Sequence, residues 1–300
     1  MIRGKQPAMS EAPEPPSEAA RSDKAAPSGK APSSNDTASS SKATSPHTAA
    51  PARKKGCGSR VKALSFIALF AILTVSLLQF FSPLPDRSDP SSRTSSSLMN
   101  IYTEGGDLYF LPRGSEDAPL GFILYPGAKV PKEAYSYLGR AVAEAGYPAA
   151  LLDVRLGFAI FDSEAASRPI AALPGIKKWV LAGHSLGGVA ASSFAKTHQD
   201  IVGGIVFLGS YPSTGGSLSR TRVRALSVSA SNDMLATQEK IDAAKALLPD
   251  STSYVRISGG NHAQFGEYGT QKGDGAADIP PSRQQQSVVD SVLALLASLR

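Results

Sequence analysis

The sequence predicts an α/β domain with a doubly wound, mostly parallel sheet, set behind a single apolar helix. Three observations carry that expectation. Short apolar runs alternate with helical stretches from residue 101 onward. Several runs are continuously apolar, as strands covered on both faces require. One of them, Trp179-Val-Leu-Ala182, climbs into Gly183-His-Ser-Leu-Gly187 and then the small residues Val189-Ala-Ala-Ser-Ser-Phe-Ala195. That is a strand, a sharp turn with serine at its tip, and a helix, the context in which a serine hydroxyl is exposed for attack.

From the N-terminus, residues 1–60 read as a disordered basic tail. Met1–Pro51 is rich in Ser, Ala, Pro, Lys and Glu, with no aromatic residue and no apolar period. Such a segment cannot bury enough surface to offset its ordering entropy. The first 62 residues hold 11 Lys/Arg against 5 Asp/Glu, the whole of the net +6. The remainder is neutral, so the basic balance does not argue for a nucleic-acid partner.

Residues 61–82 are expected to form a transmembrane signal-anchor. The uncharged run Ala63–Phe81 has 19 residues, which as a helix span about 28 Å, close to a bilayer core. Arg53, Lys54, Lys55, Arg60 and Lys62 precede it, whereas Arg87 and Arg93 beyond it are offset by Asp86 and Asp89. The positive-inside rule then places the N-terminus in the cytoplasm and the following domain outside it. A cleaved signal peptide fits less well, because Gln79-Phe-Phe-Ser-Pro-Leu-Pro85 offers no small-x-small site. A core helix apolar on every face would have nothing to pack against beside such a tail. The only cysteine, Cys57, precedes the run, so a lipoprotein reading fails and an incidental thiol is the plainer one.

Residues 83–100, rich in Pro, Ser and Asp, read as a linker, and 101–300 as the folded domain. Its candidate strands are Leu108–Leu111, Gly121–Tyr125, Ala149–Val154, Trp179–Ala182, Gly204–Leu208, Ala225–Val228 and Tyr254–Ile257. Its candidate helices are Ala134–Ala145, Gly187–His198, Thr237–Leu248 and Ser287–Leu299. The last carries a stripe of Val288, Val289, Val292, Leu293, Leu295 and Leu296 at helical spacing.

In an open parallel sheet, ligands gather at the C-terminal strand ends. Tyr125-Pro-Gly-Ala128, Ser185, Ser229-Ala-Ser-Asn-Asp233 and Ser258-Gly-Gly-Asn-His262 all follow strands. Acyl transfer by serine needs a base, a carboxylate to hold its tautomer, and backbone donors for the oxyanion. Of the four histidines, His47 lies in the tail, His184 adjoins the serine and is expected to point away from the tip, and His198 ends a helix. His262 is therefore the candidate base and Ser185 the nucleophile. Asp233 is the candidate orienter, though an aspartate in such a turn is also a natural cap for the next helix. Asp250 is the runner-up, on the wrong edge of the sheet. The oxyanion donors are expected at Leu186 and in the Gly127-Ala128 loop.

Tyr125-Pro-Gly-Ala-Lys-Val-Pro131, Gly183-His-Ser-Leu-Gly-Gly188 and Gly259-Gly-Asn-His-Ala-Gln-Phe-Gly-Glu-Tyr268 resemble the compact, serine-nucleophile α/β-hydrolase family of bacterial proteins related to dienelactone hydrolases. The resemblance spans about residues 105–298. It implies a sheet of the α/β-hydrolase type and the order Ser185, Asp233, His262. Dienelactone hydrolases proper use cysteine, so their substrate does not carry over. The interval Gly209–Arg224 is too short for a lid domain, whereas the glycine-rich stretch Ala263–Arg283 could partly cover a site. Arg155 could bind an acidic substrate group, although an ion pair with Asp153 or Asp162 is the plainer reading. Phe265, Tyr268 and Tyr137 could wall an acyl pocket, or simply pack.

The expected activity is hydrolysis of a small ester or thioester, without metal or cofactor. An acyltransferase or peptidase would use the same residues, and an inactive binding protein could keep the fold.

Overall fold

The computed structural model describes the backbone of residues 58–300 and the side chains from residue 70. The tail expected over 1–60 and Cys57 lie outside the described residues, apart from the tail's last three positions, which begin a helix. That helix, α1 (Gly58–Phe81), contains the whole apolar run. Among the residues with described side chains, no helix is long and apolar enough to cross a membrane. The run Ala63–Phe81 begins before that set does.

Eight strands form one sheet: β1 (Met99–Glu104), β2 (Asp107–Pro112), β3 (Leu120–Tyr125), β4 (Ala149–Leu151), β5 (Lys178–His184), β6 (Val202–Leu208), β7 (Arg224–Ala230) and β8 (Ser253–Ile257). Their order is β1-β2-β4-β3-β5-β6-β7-β8. The pairs of β1 with β2 and of β2 with β4 are antiparallel, and all others are parallel. Between the strands lie α2 (Ser136–Glu144), α3 (Ser167–Ala172), α4 (Leu186–Thr197) and α5 (Gln238–Ala243), and α6 (Pro281–Ser298) follows β8.

Side-chain alternation splits the sheet's neighbours into two cores. Phe122, Leu124, Val180 and Ala182 pack with Leu138 and Val142 of α2 and with Val288, Val292 and Leu296 of α6. Ile123, Tyr125, Trp179 and Leu181 pack on the other face with Ala190, Ala191 and Phe194 of α4. Burial on both faces is why these strands read as continuous apolar runs. Each fully buried aliphatic chain contributes about 1.5–3 kcal/mol, so the α6 stripe alone holds that helix to the sheet.

Three boundaries differ from the sequence reading. The hairpin β1–β2 turns on Gly105 and Gly106, both at positive φ, the Gly-Gly turn that two-residue hairpins favour. Strand β1 was hidden because its outward face is polar, and the domain accordingly starts at Met99. The stretch 83–100 is not a free linker. Leu84 N–H donates to Lys129 O at 2.7 Å and Arg87 N–H to Glu267 O at 2.8 Å, while Arg140 reaches the carbonyls of Ser91, Ser92 and Thr94. Lastly, β4 stops at Leu151, and short 3-10 turns run from Arg155 to Ala166.

Candidate active site

Ser185 joins β5 to α4 with φ 53° and ψ −124°, a left-handed conformation costly to a residue with a Cβ. The surroundings impose it. Ser185 N–H donates to Leu208 O at 3.1 Å, and its carbonyl accepts Ser210 Oγ at 2.6 Å and Gly188 N–H at 3.1 Å. The flanking glycines are demanded by contact. A Cβ on Gly183 would lie 2.3 Å from Gly188 N, one on Gly187 2.3 Å from Tyr125 O, and one on Gly188 2.2 Å from Ser210 Oγ. The turn therefore exists because α4 starts pressed against the ends of β3 and β6.

His262 and Asp233 meet from the ends of β8 and β7. His262 Nδ1 lies 2.8 Å from Asp233 Oδ2, and both side chains are buried. Asp233 Oδ1 accepts Leu235 N–H at 2.8 Å and Ala236 N–H at 2.7 Å. One oxygen of Asp233 thus ties down the turn that precedes α5, whose own cap position is Thr237, and the other faces the imidazole. With Nδ1 donating to the carboxylate, Nε2 keeps its lone pair, and it has no hydrogen-bond partner. The loop behind is tied down by Ala263 N–H to Asp274 Oδ2 and by Asn261 N–H to Gln284 Oε1.

His184 does not simply turn away from the serine. It is buried, and its ring lies 4.6 Å from that of His262. Its Nδ1 is 2.8 Å from Tyr135 Oη, which also accepts Gly127 N–H at 3.0 Å. The Tyr135 proton is then free for Nδ1, which assigns the imidazole proton to Nε2. Burial pushes the His184 imidazole well below the ordinary histidine value, His262 pushes it further, and a backbone contact offsets only part. Burial likewise keeps the Tyr135 phenol protonated. His184 is a neutral ring packed beneath His262, and Tyr135 holds it there. Nothing local in the sequence marks Tyr135, whose contact spans 49 positions.

Ser185, Leu186 and His262 share a cavity of about 290 Å3 with Val189, Gly209, Ser210, Tyr211, Leu235 and Ala236. Of the three expected oxyanion donors, Leu186 and Ala128 give their N–H to no described group. Gly127 is a correction, because its N–H is taken by Tyr135. Its lack of a side chain has another use, since a Cβ there would lie 2.7 Å from His184 Nδ1.

The expected pocket residues are corrected too. Phe265 and Tyr268 are buried and pack beside His184 at 5.7 and 6.1 Å; neither lines the cavity. The short turn Ala263–Phe265 folds them under the site. Tyr137 is engaged by Phe265 O at 3.1 Å. Arg155 is exposed, outside the cavity, and pairs with neither Asp153 nor Asp162. Arg168 takes that place, binding Asp162 and the buried Asp107. The stretch Ala263–Arg283 walls a separate cavity of about 730 Å3 with Arg87 and Gln285, rather than covering Ser185.

Similarity to known proteins supplies the family. The sequence profile of the alpha/beta hydrolase family matches residues 121–287. No curated protein sequence matches significantly. Among solved structures, a dienelactone hydrolase-like promiscuous phosphotriesterase from metagenomic libraries is similar, with a TM-score of 0.50 and 17% identity over 67% of this chain and 97% of that one. A dienelactone hydrolase from Anabaena variabilis has a TM-score of 0.49 and 16% identity over 66% and 98%. A carboxylesterase from Bacillus subtilis has a TM-score of 0.48 and 12% identity over 68% and 94%. The family profile covers more than half of the sequence. The chain belongs to the alpha/beta hydrolase family.

Proposed function

We propose that this protein is a membrane-anchored serine hydrolase that cleaves a short-chain ester or thioester through an acyl-enzyme intermediate. The observation that carries the reading is the Asp233–His262 pair at 2.8 Å, with His262 and Ser185 lining one cavity and His262 Nε2 without a hydrogen-bond partner. Ser185 Oγ attacks the acyl carbon while Nε2 takes its proton. The oxyanion is held by the N–H groups of Leu186 and Ala128. Collapse expels the leaving group, which receives the proton from Nε2. Water then attacks the acyl-enzyme by the same steps and regenerates Ser185.

The chain-length preference follows from space. A cavity of about 290 Å3 with Val189, Leu235 and Ala236 in its walls is at the lower end of the roughly 300–1,000 Å3 usual for small-molecule pockets. The anchor reading is supported by α1 itself, on which Phe70, Ile72, Leu73, Val75, Leu77, Leu78 and Phe80 are all more than half exposed. Such a surface calls for an apolar surrounding. The basic residues before the run orient the tail to the cytoplasm and the domain to the other side.

The test is labelling of the full chain by a fluorophosphonate, alongside turnover of acetyl- and butyryl-aryl esters. Absence of both relative to a Ser185→Ala control would overturn the enzyme reading. A reporter fused after Arg300 is expected to work only outside the cytoplasm, and cytoplasmic activity would reverse the orientation.

A further inference from the structure

Among the described residues outside α1, seven large apolar side chains are exposed, and three of them fall within Leu156–Phe161. Leu156 is 60% exposed, Ile160 44% and Phe161 53%. Isolated exposed apolar side chains need no explanation, but a contiguous group does. The backbone here is also unusual. Leu156 sits at φ 55°, a region a leucine rarely occupies and one that functional segments tend to keep.

This loop adjoins the exit of α1. Phe158, in its middle, stacks on Phe80 at 6.0 Å and meets Phe81 edge-on at 6.0 Å; Phe161 follows at 5.7 Å. Lys129 ties the pieces together. Its N–H donates to Gly157 O at 2.6 Å, its carbonyl accepts Leu84 N–H at 2.7 Å, and its ammonium lies 5.7 Å from the Phe80 ring centroid. The exposed apolar surface of α1 thus meets the domain through the ring contacts of Phe80 and Phe81 with Phe158. Lys129 and the unpaired Arg155 add positive charge beside it, Asp153 is exposed there, and Asp162 shares Arg168 with the buried Asp107.

We infer that the loop Arg155–Phe161 is a second membrane contact, which dips Leu156, Ile160 and Phe161 into the interfacial layer of the bilayer that α1 enters. The inference rests on the anchored reading. A lipid surface suits the patch because it adjoins a helix surface that only lipid would cover, and because cations beside apolar groups are the pattern of interfacial segments. The geometry also sets which side of the domain faces the lipid. The loop follows β4, while Ser185, Asp233 and His262 follow β5, β7 and β8, all parallel to β4. The edge that bears the site is the edge turned to the membrane.

The experiment places a single environment-sensitive fluorophore on the full chain in a Cys57→Ser background, at Ile160→Cys or, separately, Phe161→Cys. The control is Tyr254→Cys, on the far edge strand and equally exposed at 44%. The host is a phosphatidylcholine vesicle containing phosphatidylglycerol, with doxyl groups high on the acyl chains. Labels at 160 and 161 are expected to be quenched about two-fold more than the label at 254. Equal weak quenching at all three, in protein that floats with the vesicles, overturns the loop contact and leaves the anchor standing. Protein that does not float overturns the anchor and the loop contact with it.

Discussion

Two buried imidazoles stand 4.6 Å apart at the ends of β5 and β8, and their partners separate their roles. His262 faces a carboxylate that two backbone N–H groups hold in place. His184 faces a neutral phenol. A carboxylate stabilises the imidazolium that a general base becomes, whereas a buried phenol does not. One residue type thus supplies the proposed base and a packed neutral support within a single layer, and the difference lies in what each Nδ1 touches.

The widest gap between the two rings should appear in turnover. Replacing Ser185 by Ala or His262 by Ala is expected to lower kcat by about 10^4-fold or more, while His184→Gln should lose far less. Equal losses in ester hydrolysis would erase the distinction. Asp233→Asn keeps a carbonyl oxygen for Leu235 and Ala236 but removes the charge, so kcat should fall by about 10^4-fold. Stability should change much less than in Asp233→Ala, which also loses the turn bonds, worth about 0.5–2 kcal/mol; urea unfolding of both variants measures this.

Tyr135→Phe leaves Gly127 N–H and His184 Nδ1 without a partner. Chemical denaturation should show a loss of about 1–3 kcal/mol, with substantial activity remaining. An unchanged midpoint would mean that the phenol supports nothing.

The pH dependence follows from the depressed His184 value. The unfolded chain takes up this proton near the ordinary 6.5, whereas the folded protein resists until much lower pH. Its contribution to stability is therefore full above the unfolded value and is lost as pH falls below it, by up to about 1.4 kcal/mol per pH unit. Urea midpoints at neutral and mildly acidic pH should separate native protein from His184→Gln by about one proton's slope; parallel slopes would refute a neutral buried ring. The smallest effect is expected at Arg155→Ala, where kcat/KM for a soluble ester should stay within about two-fold, as for most exposed positions.

The proposed base and acid are legible in the sequence for different reasons. His262 was found by elimination, because a glycine-rich strand end suits a side chain that must reach inward. Asp233 was found by position, and its turn bonds were legible as well. Strands β3, β5 and β6 were plain because burial on both faces leaves an apolar run. Strand β1 was missed even though Glu104-Gly-Gly-Asp107 is a hairpin turn by composition. Tyr135 and Arg168 were beyond reach, because their roles arise where the turn before α2 meets the end of β5 and where Arg168 of α3 reaches Asp107 of β2, and no period or spacing encodes that. Gly127 was assigned to the right loop with the wrong task, since a free N–H cannot be told from a spent one without its acceptor.

Residues Ser82–Leu98 lead from α1 to the sheet and are bonded to the body at Leu84, Arg87 and the Arg140 contacts. A slack tether would let a domain swing freely and sweep a wide volume. A bracket does the opposite, passing on every tilt and rotation of the helix as a tilt of the catalytic face. In the anchored enzyme proposed above, whatever holds α1 also fixes the height and heading of Ser185, and encounter with substrate becomes a matter of lateral motion in two dimensions.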